Sequence, residues 1–253
     1  MSISPAFKQL RQNGLRMLLV AVLAALYLFP LVRIFSMSFM SASELYASAP
    51  SIFPKAFTLE NYRSIFQGNI PIFTFLKNTV IMALLITAVQ LAVSSITAYA
   101  LTGLDVPFKN LIFILILGGM MIPFESTMLA NYLFVAQNGL RNQYLGLILP
   151  FLLSPAGIFL MRQQFKSIPK EIYDAAAIDG CGPVRLFLRL LLPMSGNALA
   201  SLAILSMITA WNQYIWPLLV TNKNEMRTVQ VGISMLQGLE FSDYTLVMAG
   251  IVL

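Results

Sequence analysis

This chain of 253 residues has no histidine, a single cysteine at Cys181, and only 10% charged residues. Each shortage removes a class of chemistry. Without histidine there is no Ser-His or Cys-His nucleophile and no imidazole metal ligand. One cysteine allows no internal disulfide, and with no histidine beside it no Cys/His metal site is expected. No G-x-x-x-x-G-K-[ST] segment occurs, so the chain has no phosphate-cradling ATP loop of its own. The charged fraction also lies far below the roughly 25% of a soluble domain.

What fills the chain is apolar: 58% of residues are hydrophobic, and the mean hydropathy is +0.78. Runs free of charge extend from Met17 to Val32, Asn78 to Leu104, Asn110 to Phe124, Asn142 to Met161 and Leu190 to Asn222. A helix needs ~20 such residues to cross a ~30 Å hydrocarbon core. A sixth run opens at Tyr244 and reaches the last residue after ten positions, which reads as a truncated span. The in-out alternation of a membrane barrel strand is absent, so the expected fold is an all-α integral membrane protein of six transmembrane helices, the last one truncated. Lys8, Arg11 and Arg16 precede the first run, but its apolar core continues past Pro30 with no small-residue cleavage site close behind, so it reads as a retained helix and not a signal peptide.

Basic residues set the orientation. With the N-terminus inside, the inner segments 1–16, 102–109 and 162–195 hold Lys8, Arg11, Arg16, Lys109, Arg162, Lys166, Lys170, Arg185 and Arg189. The longer outer segments hold fewer: Lys55, Arg63, Lys77, Arg141, Lys223 and Arg227. That bias places the N-terminus in the cytoplasm, with a single domain over 1–253, an external loop at about 39–77 and a cytoplasmic loop at about 163–195. In the external loop, Pro50, Pro54 and Pro71 disfavour long regular structure. Between them "TLENYRSIFQG" predicts a short helix with Thr58 as N-cap and Gly68 as its end, presenting Leu59, Tyr62, Ile65 and Phe66 on one face.

The cytoplasmic loop carries its own punctuation. In "SIPKEIYDAAAIDGCGP", Pro169 suits a first helical turn, Glu171 favours the positive N-terminal end, and Gly180 suits the left-handed closing position. A second helix is predicted from Pro183 through "VRLFLRLLLP". Ala175, Ala176 and Ala177 let a partner approach the first helix closely, and Asp174 and Asp179 can accept charge-assisted bonds from a partner's Arg or Lys. By composition alone, a capped surface helix with no special role fits equally well.

In the spans, polar residues are the candidates for function. Asn212, Gln213 and Tyr214 stand beside Trp211 and Trp216 in "TAWNQYIWPLL", amide and aromatic groups that suit a sugar's hydroxyls and C-H faces. Interhelical hydrogen bonds and an interfacial aromatic belt are the alternative use of the same residues. Pro217 is positioned to bend the helix. Glu125, after Pro123, can line a pathway, pair with another subunit or mark the interface; Arg33 is expected to snorkel outward or to pair with another subunit.

The spacing Asp174-Ala175-Ala176, Gly180, then Leu190-x-Leu192-Pro193 resembles the cytoplasmic signature loop of binding-protein-dependent ABC importer permeases. Aspartate stands where that family usually has glutamate, leucine where it has isoleucine, and Cys181 where alanine is common. "ENYRSIF", "FLKNTVIMA", "GIFLMRQQFKSIPKEIYDAAAIDG" and "TAWNQYIWPLL" are similar to the carbohydrate-uptake branch, in particular the maltose-type second permease subunit. The resemblance implies a prokaryotic inner-membrane permease that is itself no enzyme and passes a sugar, oligosaccharide or polyol-like solute inward by alternating access. It implies a heterodimer with a second, related permease, two ATPase subunits that bind ATP and Mg, and an extracytoplasmic solute-binding protein, with no cofactor on this chain and no nucleic acid partner. It also makes Glu171, Asp174, Ala175, Ala176, Asp179 and Gly180 the ATPase-coupling residues; Glu125, Trp211, Asn212, Gln213 and Tyr214 are the pathway candidates on the polar and aromatic character of the spans alone. The rival class, an ion-coupled secondary transporter or channel, needs acids within the spans, and these runs are nearly free of them.

Overall fold

Apolar residues that recur without a two-residue alternation should coil, and in the computed structural model every regular element among the described residues is helical. The structure describes residues 5–47, 51–68, 70–237 and 244–253, and the side chains of all of these except 5–13 and 15. Pro50 therefore lies outside the described residues, as do the side chains of Lys8 and Arg11. In chain order the helices are α1 (Pro5–Ser38), α2 (Ala42–Leu45), α3 (Glu60–Gln67), α4 (Ile72–Gly103), α5 (Lys109–Gly119), α6 (Phe124–Gln137), α7 (Tyr144–Ile148), α8 (Pro155–Ser167), α9 (Lys170–Ile178), α10 (Pro183–Leu186), α11 (Leu192–Met194), α12 (Gly196–Trp211), α13 (Ile215–Val220), α14 (Val229–Gln237) and α15 (Tyr244–Val252). A π-helical turn, Phe187–Leu191, joins α10 to α11.

Among the described residues two helices are long and apolar enough to cross a membrane, Arg16–Ser38 within α1 and α4 over Ile72–Gly103. The other apolar runs are bent pairs: α5 with α6 at 92°, Tyr144–Phe151 with α8 at 55°, and Pro183–Met194 with α12 at 77°. The bends have local causes. Pro123 and Pro155 cannot donate to a preceding turn, and the hydroxyl of Ser195 donates back to the Leu191 carbonyl at 2.7 Å, a bond that bends helices. The run 110–124 is thus not one straight span. Its helix α5 extends about 16 Å, half the hydrocarbon thickness. Residues 124–137, expected in an outer connection, form helix α6.

The chain forms two compact units, one of residues 1–71 with 232–253 and one of residues 72–231. In the first, α1 packs on α15, and α15 on α3. Asn61 joins all three segments: its amide donates to the carbonyls of Ser38 at 2.9 Å and Met40 at 2.8 Å, and its carbonyl accepts from Thr245 Oγ1 at 3.1 Å. Asn61 and Ile65 are the buried residues of α3, and Tyr62 is half-buried with its hydroxyl on Ser38 Oγ at 2.8 Å, whereas Leu59 and Phe66 are exposed, so only half of the predicted apolar face packs. The N-cap is Leu59, one residue later than expected, with Thr58 Oγ1 accepting the Glu60 N–H at 3.1 Å; Gly68 ends the helix in an extended and not a left-handed conformation. The Arg33 guanidinium donates to the carbonyls of Ser51 at 2.7 Å and Ile52 at 3.0 Å, so it has partners within its own chain. Nearby, the Lys55 N–H and the Ser51 hydroxyl hold the Glu44 carboxyl below its usual range.

In the second unit α4 is the central post, packed by α8 and α12. The approach to α8 is close. A Cβ on Gly157 would lie 2.6 Å from Ser94 Oγ and 3.0 Å from Leu202 Cδ1, the small-residue contact that lets membrane helices touch. Polar side chains clamp the post at two further levels. Gln90 donates to the Phe151 carbonyl at 2.6 Å and accepts from Ser206 at 2.6 Å. Asn78 donates to the carbonyls of Glu225 and Arg227 at 2.8 and 2.9 Å and accepts from Tyr144 at 2.7 Å, while Thr79 accepts the Val229 N–H at 2.8 Å.

Candidate functional site

Helix α9 begins at Lys170, with Pro169 as N-cap and Glu171 in its first turn, so Pro169 stands just before the helix and not inside it. Its end is a Schellman motif. Gly180 has φ +67°, its N–H reaches the Ala177 carbonyl at 3.1 Å, and the Cys181 N–H reaches the Ala176 carbonyl at 2.8 Å. This pairing satisfies carbonyls the helix would otherwise leave open, and it turns the chain sharply into α10.

One face of α9 is anchored. Ala176 is buried, and Ile172, Tyr173 and Cys181 pack around it against Phe165, Ile168, Leu186 and Leu191. Tyr173 donates its hydroxyl to the Phe165 carbonyl at 3.1 Å, and burial pushes its phenol up. Tyr99 of α4 donates to the Pro183 carbonyl at 3.0 Å and stacks on Phe187 at 5.1 Å. The hairpin of α9 and α10 is thus fastened to the ends of α4 and α8 by aromatic rings and two phenols.

The opposite face is free. Glu171, Asp174, Ala175, Asp179 and Gly180 are exposed, as are Ala177 and, at 87%, Ile178. Ala176 differs from the other residues expected at the docking surface: as the i+4 neighbour of Ile172 it turns inward and packs. Ile178 was missed. Its signal was the same periodicity, since it lies four residues after Asp174 and shares the outward stripe.

A second site gathers the intramembrane candidates. A pocket of about 400 Å³ is lined by Glu125, Asn212, Gln213 and Tyr214 together with the aromatic side chains of Phe124, Phe151 and Trp216. Four of the five predicted pathway residues thus come together, from α6 and from the break between α12 and α13. The break has a cause. Pro217 supplies no N–H to the Gln213 carbonyl and its ring crowds that carbonyl, so no continuous helix runs through Gln213, and α12 ends at Trp211. Trp211 does not line the pocket. Trp216 does, fixed by its indole N–H to the carbonyls of Gly146 at 3.1 Å and Leu147 at 3.2 Å, and edge-on to Phe124 and Phe151 at 5.8 and 6.3 Å. Asn212 spends its amide N–H on the Ile208 carbonyl at 2.9 Å. The side-chain oxygen of Gln213 is buried with no hydrogen-bond partner among the described residues. A buried unpaired acceptor is costly, and one beside a pocket is positioned for a donor from outside the chain.

Residues 16–253 match the family described as binding-protein-dependent transport system inner membrane component. The arabinooligosaccharides transport system permease protein AraQ of Halalkalibacterium halodurans is 34% identical over 235 residues, which is 92% of this chain and 84% of that protein. The sn-glycerol-3-phosphate transport system permease protein UgpE of Escherichia coli O1:K1 is 34% identical over 214 residues, 83% of this chain and 76% of its own length. In fold, the chain superposes with a TM-score of 0.83 on a chain from the crystal structure of a bacterial ABC transporter involved in import of the acidic polysaccharide alginate, at 22% identity, covering 100% of this chain and 93% of that one. With the anchored hairpin and the bent apolar helices in place, the conclusion is that this chain belongs to the binding-protein-dependent transport-system permeases, the components that lie in the inner membrane.

Proposed function

We propose that this chain is one of two related six-span permease subunits of an importer that carries a carbohydrate or polyol-like solute into the cytoplasm. Its N-terminus is cytoplasmic, two separate ATPase subunits bind ATP and Mg, and a solute-binding protein delivers cargo from the other side. The observation that carries this reading is the two-faced helix α9. Glu171, Asp174, Ala175, Ile178, Asp179 and Gly180 are exposed along one side, while Tyr173 and Ala176 lock the other to the ends of the spans. Low side-chain bulk and two aspartates suit a groove bearing cations, with Ile178 as the apolar anchor. A push on α9 travels through Tyr173 and Tyr99 to α8 and α4 as a rigid-body shift, the kind of coupling that alternating access requires.

The solute reading is supported by the pocket at the α12–α13 break and by the cargoes named for AraQ and UgpE. Its volume lies in the ~300–1,000 Å³ range of small-molecule sites. Glu125, Asn212, Gln213 and Tyr214 supply polar contacts, and Phe124, Phe151 and Trp216 supply faces for C-H stacking.

The test is uptake into vesicles of the complex extracted from its own membrane, with its co-purifying subunits identified by mass spectrometry. We expect an ATPase and a second permease in stoichiometric amounts, and uptake of an arabinooligosaccharide or a related sugar only when ATP is hydrolysed. Uptake driven by an ion gradient alone, with no ATPase in the preparation, would overturn the reading in favour of a secondary transporter.

A further inference from the structure

Four cations converge on a second pocket, of about 390 Å³, at the end of the spans that carries α9. Lys109 opens α5, Arg162 and Lys166 lie one turn apart on α8, and Lys170 opens α9. No carboxylate among the described residues lines this pocket, and none of the four is ion-paired with one there. Lys109 only reaches the Leu104 carbonyl, at 3.5 Å. Four like charges sharing one cavity repel one another, so the arrangement is unfavourable until an anion enters.

Arg162 is the built part of the site. Only 6% of it is exposed, its guanidinium lies 3.9 Å over the Phe113 ring, and Nη2 donates to Asn110 Oδ1 at 3.4 Å. Its Nε is buried without a partner among the described residues. A buried guanidinium is retained only where something compensates its desolvation, and Phe113 and Asn110 leave the buried Nε–H open. Complementing the negative C-terminal ends of α4 and α8 accounts for Lys109 and Lys166, but not for a buried Arg162 with a free N–H.

We propose that this pocket binds a phosphate group, held by the Arg162 fork with Lys109, Lys166 and Lys170 around it, and that an anionic phospholipid headgroup is its source. Arg matches phosphate oxygens in a fixed plane, and lysines add point charge around them. The N-termini of α5 and α9 reach the same pocket, and neither has a side-chain cap. Location favours a lipid over a dissolved anion. Arg162 lies in α8, half of an apolar bent span, and Lys166 lies one turn nearer its end, the depth at which headgroups meet protein.

The test is native mass spectrometry of the detergent-extracted complex, with and without its ATPase subunits, given phosphatidylglycerol, phosphatidylcholine or inorganic phosphate. The unaltered chain should retain phosphatidylglycerol over phosphatidylcholine. Lys166→Gln with Lys170→Gln, both exposed and so neutral for folding, should weaken that retention about fivefold per lysine. Arg162→Gln should abolish it. Retention of inorganic phosphate in place of lipid, lost in the same variants, would support the phosphate site and assign it a soluble source. Equal retention of both lipids by the unaltered chain and the variants would overturn the proposal. So would protection of the lysines from amine-reactive labelling by the ATPase alone, which would make the patch a protein contact.

Discussion

A single methyl group at position 157 would meet Ser94 Oγ at 2.6 Å, Leu202 Cδ1 at 3.0 Å and Ser154 Oγ at 3.1 Å. Three helical elements therefore meet at a residue whose only distinction is its lack of a side chain. Gly157→Ala should lower the melting temperature of the detergent-extracted chain by the equivalent of about 1–3 kcal/mol, the usual cost of overpacking. Ser94→Ala alone should be nearly neutral, because Ser94 Oγ is buried with no partner among the described residues. Combined, the two should recover most of the loss, since the closest clashing atom is gone; additive losses in a thermal-shift cycle would contradict this packing. Nothing in "SPAGIFLM" marks Gly157 as a contact, because its neighbours are distant in the chain. Trp216 was legible only in part: its aromatic character fitted either a belt or a pocket, and the carbonyls of Gly146 and Leu147 decided that it is a fixed wall.

At the scale of the element, the hairpin of α9 and α10 tests whether its turn or its surface matters. Gly180 adopts φ +67° with open space around it in the isolated chain. Gly180→Val places a β-branched residue in the left-handed region, a strain of about 1–3 kcal/mol, so we expect ATP-driven uptake to fall about tenfold or more. Gly180→Asn, which tolerates that conformation, should lose only a few-fold. Asp174→Lys leaves the fold alone, since the residue is exposed, yet should abolish co-purification of the ATPase. Full uptake in both Gly180→Val and Asp174→Lys would remove the coupling role from this helix. The start and end of α9 were readable from Pro169, Glu171 and Gly180 because capping is local chemistry, satisfied within a few residues. The inward turn of Ala176 was not, because it depends on Phe165, Ile168, Leu186 and Leu191 arriving from other helices. The bends were missed for a similar reason: hydropathy records that Asn110–Phe124 is apolar but not that Pro123 turns the chain by 92°.

For the whole molecule, the orientation of the chain is the property most open to direct test. Cys181 is the only thiol, half-buried at the turn after α9. A membrane-impermeant maleimide should label it in inside-out vesicles, slowly because of the packing, and more slowly still with ATPase docked. Labelling in right-side-out vesicles would invert the proposed topology. Helix α1 poses a second question at this scale, since every described residue from Arg16 to Val32 is exposed. An apolar helix bare on all sides is matched by lipid or by another membrane subunit, and its sequence serves both.

By itself the sequence determined that this is a helical membrane protein, which runs are apolar enough to enter the bilayer, and where the loop helix α9 starts and stops. Those properties follow from composition, from periodicity and from bonds that close within one turn of helix. Only the tertiary structure decided which face of α9 is free, that Glu125 meets Asn212, Gln213 and Tyr214 around one pocket, and that four cations surround a cavity with no carboxylate among the described residues to answer them. Lys109 and Lys170, or Glu125 and Tyr214, are far apart along the chain. They become neighbours only through tertiary packing, of α6 on α13 and of α5 on α8, whose contacts are set by steric fit between helices and not by any spacing along one of them.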